Sequence, residues 1–494
     1  MRKALARGNG SCKDYQKRWS SYVMVFHSPN FLVFFGLLLL LFLFVKKWRL
    51  AILAAGNIWF YGSSGLGMLA VFVAVTALVF LAVHGMQRPG FRWLYIVGLV
   101  VPILNLVCFK YTLLLLETWG SLTGLPLGPM EQFASSLVLP VGISFYTFQL
   151  LAYLIDVRRG ELEPTRSFFR FWVFISLFPQ LIAGPIMRGK ELMPQVDAIQ
   201  EKSIRWQEIK YGMYLFFVGL AKKILIADPL SLEVNEWFAQ GAAMSSTDAW
   251  LAAYGFGFQI YFDFSAYSDM AIGLGWMLGF RLIENFRSPY ISADPSEFWR
   301  RWHISLSRWI RDYVYIGLGG NRKGAARTHL NLLAAMLISG LWHGAMWTFV
   351  LWGGLHGLLL ILHKLTLKLN RWNWVERLRS FWLYRVVAVA VFFHVVTWTW
   401  VFFRAQDFTL AMDMTAKMLA VDWLALWQTP MFMLMVGLYA LHLFEYGLRT
   451  KEALFSRVWH WVPFPIRGVV YAGFVLAILY MLRGETYDFI YFQF

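Results

Sequence analysis

Charge is scarce in this chain. Asp, Glu, Lys and Arg make up 15% of its 494 residues, against 59% hydrophobic and 18% aromatic. Soluble domains carry about 25% charged residues, and water would not tolerate the apolar surface this composition must expose. A soluble protein is excluded and an integral membrane protein is expected. Cysteine is nearly absent: Cys12 lies in a polar leader and Cys108 beside Lys110 in an apolar run. That leaves no disulfide scaffold and no thiolate metal site. The ten histidines form no H-E-x-x-H pair and no carboxylate–histidine cluster at ligand spacing, so no metal is expected. Sustained strand alternation is missing, which removes a β-barrel. No period of about 20–50 residues recurs and no halves match, which weighs against transporter folds built from internal repeats.

What is present is helical. Apolar runs recur from Phe31–Val45 to Val469–Leu482, many shorter than the roughly 20 residues that span a bilayer. The pattern predicts an all-α, polytopic membrane protein with about 10–12 spanning helices and several segments that do not cross. "FPQLIAGPIMRG" (Phe178–Gly189), broken by Gly and Pro, reads as re-entrant. The net charge of +17 sits in short loops such as "VKKWRL", "VRRGE" and "HKLTLKLNRW", as in cytoplasmic loops. A second reading is attraction to an anionic substrate or to membrane lipid head groups; nucleic acid is not implied. Residues 1–23 form a polar basic leader without a small-residue cleavage site, so it is no removable signal peptide. Six cations in that leader favour a cytoplasmic N-terminus, "KKWR" after the first span favours the opposite, and a start at Met24 would strengthen the second. Residues 24–494 are read as one membrane domain.

Against this greasy background one stretch stands out, "EFWRRWHISLSRWIRDYVYIGLGGNRKG" from Glu297 to Gly324. Taken as one helix over Glu297–Tyr315, at roughly 100° per residue, it gathers Trp299, Trp302, Leu306, Trp309, Ile310 and Tyr313 within an arc of about 120°. Arg300, Arg301, Arg308, Arg311 and Asp312 fall opposite. Glu297–Arg301 and Arg308–Asp312 are expected pairs at i,i+4. The helix would lie along an interface or dip into the protein, with His303 at the edge of its apolar arc. "GLGGNRKG" lacks the GK[ST] of a phosphate-binding P-loop, yet Arg322 and Lys323 make it a cationic turn suited to an anionic ligand.

A solitary histidine follows in "LISGLWHGAMWTF". His343 has Trp342 beside it and Gly340, Gly344 and Ala345 around it. Small residues let helices approach closely or leave room for a narrow channel. Histidines on apolar faces are more often packed core residues than catalysts, but an ionisable group within a membrane is a functional hypothesis by default. A largely neutral imidazole could act as a general base towards a hydroxyl. His356, thirteen residues on, reads as packing or as support. Asp263 and Asp269, in "YFDFSAYSDMAIGLGWMLGF", are costly in such a segment unless paired. Either could orient a histidine, anchor Arg281 or relay protons; a buried salt bridge or a helix cap is the plainer reading.

"ENFRSPYISADPSEFWRRWHISLSRWIRDYVYIGLGGNRKG" followed by "LISGLWHGAMWTFVLWGGLHG" resembles the signature of the membrane-bound O-acyltransferase family, and more narrowly its bacterial alginate O-acetyltransferase branch. "LPVGISFYTFQLLAYLIDVRRG", "FPQLIAGPIMR", "GLAKKILIAD", "QIYFDFSAYSDMAIGLG", "WVFFRAQDF" and "FIYFQF" are similar too, so the resemblance covers nearly all of Met24–Phe494. It implies helices ringed around a central tunnel. It also implies catalytic roles for His343, which matches the essential histidine of the "WHG" motif, and for His303, which matches its upstream partner. Acetyl-CoA would be the acyl donor, with no bound cofactor or metal. Arg308, Arg311, Arg322 and Lys323 would face its phosphates, while Asp263, Asp269 and Trp342 would support the site.

The resemblance further implies a multi-pass protein of a bacterial inner membrane. It would pass acetyl to a separate periplasmic or extracellular esterase-like transferase that modifies an exported polysaccharide, alginate or bacterial cellulose. No G-D-S-x segment or long soluble region supplies that second activity here. Peptidoglycan O-acetylation is an alternative within the same chemistry. A proton-coupled transporter using Asp263, Asp269 and His343, or a scaffold for glycan export, would be a different class.

Overall fold

The computed structural model describes residues 24–125, 127–481 and 489–490. The leader Met1–Val23 lies outside them. The chain divides into two compact units that alternate in sequence: Met1–Phe217 with Asp269–Ile283, and Val218–Ser268 with Glu284–Phe494. Among the described residues the secondary structure is helical, with no strand.

Among the described residues five helices are long and apolar enough to cross a membrane: Leu66–Gly85, Leu94–Thr123, Trp347–Asn370, Trp382–Arg404 and Pro430–Thr450. A bent pair, Pro29–Phe44 with Lys46–Gly62, makes a sixth if it counts as one span. Shorter and interrupted helices carry the remaining apolar runs. Several runs are interrupted, as where Trp206–Ala221 gives way to a π-helical turn at Lys222–Ala227. Leu330–Leu362, one run in the sequence, is two helices, Gly324–His343 and Trp347–Thr366.

In the first unit the bent pair turns by 115°. Ser28 caps the start, accepting a hydrogen bond from the Phe31 amide, with Pro29 at the first helical position. The buried Arg49 guanidinium fills the bend, donating to the carbonyls of Phe42 at 3.0 Å, Ile199 at 3.2 Å and Lys202 at 2.5 Å. Carbonyls freed at a helix end need such donors inside an apolar body. The segment expected to be re-entrant contains one helical turn, Phe178–Leu181, followed by irregular backbone, all buried. Asn57 accepts from the Phe178 amide at 3.2 Å and donates to Ser176 Oγ at 3.0 Å.

In the second unit the Gly324–His343 and Trp347–Thr366 helices form an antiparallel hairpin through Gly344–Met346. A Cβ added at Gly340 would lie 2.2 Å from the Phe349 carbonyl oxygen and 3.1 Å from the Gly353 Cα; one at Gly353 would lie 2.3 Å from the Met336 carbonyl oxygen. Gly340 and Gly353 therefore let two backbones come together.

Candidate active site: two buried histidines

The continuous helix expected over Glu297–Tyr315 does not form. Pro295–Arg301 is one short helix, capped by Asp294 on the Glu297 amide at 2.7 Å. Ile304–Trp309 is a second, running into a π-helical turn at Ile310–Tyr315. Between them the chain breaks at His303, whose φ of 40° and ψ of 58° are left-handed, a conformation that L-residues rarely adopt. Helical periodicity nonetheless sorted the side chains correctly: Trp299, Trp302, Leu306, Trp309, Ile310 and Tyr313 are all buried. This face packs into the protein. His303 leaves the edge of the expected arc and is 0% exposed.

The break brings His303 to His343. Their ring centroids lie 6.4 Å apart at 63°. Trp342 touches both, at 5.6 Å from His303 and 5.0 Å from His343. The rest of the enclosure is aromatic: Phe264 meets His303 edge-on at 4.7 Å, while Trp352 and Phe403 each lie 5.2 Å from His343. Neither ring nitrogen of His303 hydrogen-bonds to another described residue. Burial pushes its pKa down to about 3, because a low-dielectric surrounding disfavours the imidazolium. At neutral pH it is an uncharged ring with one N–H to donate.

The left-handed turn is held from a neighbouring loop. The Asn285 carbonyl accepts from the Ile304 amide at 2.9 Å. Its side-chain oxygen accepts from the Ser305 amide at 3.2 Å and from Ser305 Oγ at 2.6 Å, and its amide donates to Ser268 Oγ at 3.1 Å. On the other side of His303, the Arg287 amide donates to the Arg301 carbonyl at 2.9 Å. Sequence reasoning gave Asn285 no role, although it stands second in the quoted stretch that begins at Glu284.

The remaining candidates divide. Asp263 pairs with Lys223 Nζ at 2.9 Å, and Lys223 also binds Asp228 at 2.7 Å. The second Asp263 oxygen accepts from the Ile490 amide at 2.7 Å. The buried salt bridge is thus the reading that holds for Asp263, with Phe264 beside it forming part of the His303 wall. Asp269 is half-buried and belongs to the first unit, whereas both histidines belong to the second. Arg281, a suggested partner for these aspartates, instead pairs with Glu208 and stacks 3.4 Å over the Trp276 ring.

Among the cations, Glu297 takes Arg301 at 3.0 Å as expected and also Arg385 at 3.1 Å. Asp312 engages Arg311 with two bonds, at 2.6 and 3.1 Å. Arg308 is half-buried, while Arg322 and Lys323 are exposed on a loop that Asn331 pins through the Gly320 carbonyl at 2.8 Å. His356 hydrogen-bonds Thr399 Oγ1 at 3.1 Å and packs on Trp299 and Trp352, a packed residue as anticipated.

In a multi-pass helical membrane protein, two imidazoles side by side in an aromatic enclosure mark a functional site. Residues 161–406 match the family model of the membrane-bound O-acyltransferases. The chain is 40% identical to the probable alginate O-acetylase AlgI of Pseudomonas putida over 81% of each chain. It is 33% identical to the peptidoglycan O-acetyltransferase of Helicobacter pylori, over 82% of this chain and 81% of that one. The teichoic acid D-alanyltransferase of Bacillus subtilis is 26% identical over 55% of this chain and 70% of its own length. The chain belongs to the membrane-bound O-acyltransferase family and is an acyltransferase.

Proposed function

We propose that this enzyme takes acetyl from acetyl-CoA and moves it towards O-acetylation of an exported polysaccharide, alginate or bacterial cellulose, through a separate transferase outside the inner membrane. The observation that carries this reading is the pairing of His303 and His343, forty residues apart in sequence and 6.4 Å apart by ring centroids. An acetyl carbonyl held between the rings could touch both.

In this mechanism His343 accepts the proton of an attacking hydroxyl as its oxygen bonds to the thioester carbon. The carbonyl oxygen becomes an oxyanion, and the neutral His303 ring donates its N–H to it. Collapse breaks the carbon–sulfur bond, and the CoA thiolate leaves with the proton from His343. Hydroxyl and thioester are thus converted to ester and thiol, with no other reactant. The aromatic enclosure excludes water, which would otherwise hydrolyse the thioester. The exposed Arg322 and Lys323 suit the polyanionic donor, and Arg308 is a further contact; Arg311 is already engaged by Asp312.

The H. pylori relative supports a second acceptor, peptidoglycan. The higher identity to the P. putida alginate O-acetylase favours an exopolysaccharide. Membrane vesicles supplied with acetyl-labelled acetyl-CoA and the partner transferase, with alginate, cellulose or peptidoglycan as acceptor, test the reading. Ester-bound label on alginate or cellulose is expected. Label on peptidoglycan alone would replace the acceptor, and no CoA release with any acceptor would overturn the donor.

A further inference from the structure

We infer that Asn285 is a positioning residue for the transfer reaction, holding His303 in its left-handed turn so that the ring faces His343. This rests on the role given to His303 above. Three observations carry it. His303 is one of two non-glycine residues with positive φ among the described residues, the other being Ser288 in the same loop as Asn285. Such a conformation persists where its surroundings over-determine it, and such sites cluster where function needs a fixed geometry.

The bonds that do so converge on one residue. Asn285 binds both residues after His303: the Ile304 amide through its backbone carbonyl, the Ser305 amide and hydroxyl through its side chain. Its own amide is tied to Ser268 Oγ, four residues along the same helix from Phe264, whose ring packs edge-on against His303. The helix that walls one side of His303 therefore also anchors the clamp that turns its backbone.

The third observation is negative. Apart from a contact with its own backbone, no described residue hydrogen-bonds a His303 ring nitrogen, so ring direction is set by the backbone turn and by packing against Phe264, Phe286, Trp342 and His343. With the clamp gone, the segment can relax towards ordinary helical angles, and a helical residue at this position would point its side chain elsewhere.

The experiment compares Asn285→Ala with Asn57→Ala in full-length protein in membrane vesicles. Asn57 is an equally buried asparagine that likewise donates to a serine hydroxyl and accepts from a backbone amide. With the partner transferase and acceptor glycan supplied as above, CoA release from acetyl-CoA is measured per folded molecule, with kcat and KM separated. Asn285→Ala is expected to lower kcat about 10²-fold, the scale of an ångström-sized misplacement of a reacting group, with KM for acetyl-CoA within about twofold. Asn57→Ala is expected to reduce folded protein without lowering its kcat. Should Asn285→Ala fail to insert, Ser305→Ala, which removes the 2.6 Å bond to the Asn285 side chain, is read in the same way, with about tenfold expected.

Equal kcat in Asn285→Ala and wild type, while His303→Ala and His343→Ala are both inactive, overturns the positioning role and leaves the catalytic reading intact. Activity retained in His303→Ala overturns the reading on which it rests.

Discussion

The hairpin that presents His343 is closed by glycine, and substituting alanine there should reverse the usual sign of that change. In a helix interior, Gly→Ala gains about 1 kcal/mol through helix propensity. At Gly437, where an added Cβ meets nothing within 4 Å, that gain stands and Gly437→Ala is expected to be neutral or stabilising. At Gly340 the same methyl would sit 2.2 Å from the Phe349 carbonyl oxygen, well inside the ordinary contact distance of 3.4–4 Å. Both neighbours are helical backbone, so the two helices must separate by about an ångström.

Overpacking of this kind costs about 1–3 kcal/mol, enough to offset the propensity gain and lower stability. At Gly353, 2.3 Å from the Met336 carbonyl oxygen, a like cost is expected. Once the hairpin has opened for one methyl, the second costs less, so the double variant should lose less than the sum, by about 0.5–3 kcal/mol. Gly344→Ala meets first the buried Phe349 ring, at 2.1 Å, so that ring must shift against Phe403 and a loss of stability is expected there too. Denaturation midpoints of the detergent-solubilised variants measure all of this. A Gly340→Ala protein as stable as Gly437→Ala would refute the close approach of the two helices.

Further outcomes follow from the charged groups. Lys223→Met leaves Asp228 and Asp263 facing each other inside the second unit; breaking a buried pair in this way costs about 3–5 kcal/mol, seen as loss of folded protein that added salt does not restore. Arg322→Ala combined with Lys323→Ala should raise KM for acetyl-CoA up to about tenfold, the limit for two exposed cations, with kcat unchanged. Arg311→Ala should change KM less, since Asp312 holds that guanidinium. His303 makes stability pH-dependent: its folded pKa, about 3, lies below the unfolded value, so the unfolded chain binds the proton first. Its contribution is complete above the unfolded value near 6.5 and is lost as pH falls towards 3. Between pH 7 and pH 5 wild type should lose up to about 2 kcal/mol more than His303→Gln, with His343, the titratable ring packed against it, present in both.

Much of the site could be read from residues, and what could not has physical causes. His343 is conspicuous because an isolated imidazole among apolar neighbours is costly. The apolar arc of Trp299, Trp302, Leu306, Trp309 and Tyr313 predicted the buried face, since side chains keep nearly helical directions on both sides of a short interruption. The interruption itself left no mark: no proline or glycine stands at Trp302 or His303, and the left-handed turn is imposed by Asn285 through partners close in space and distant in sequence. Asp263 and Asp269 look alike in the sequence, six residues apart on one helix, and only the fold shows that Lys223 comes to Asp263. That the apolar run Leu330–Leu362 is two helices was invisible for a similar reason, since hydropathy records that a segment is apolar and not that its helix bends or stops.

The central claim is that His343 performs the transfer. It is tested most directly by ester-bound acetyl on the exported glycan, comparing wild type with His343→Ala in cells with matched membrane levels of the protein. Loss of acetyl with normal glycan export is the expected result. Unchanged acetylation would remove His343 as the base and contradict the mechanism.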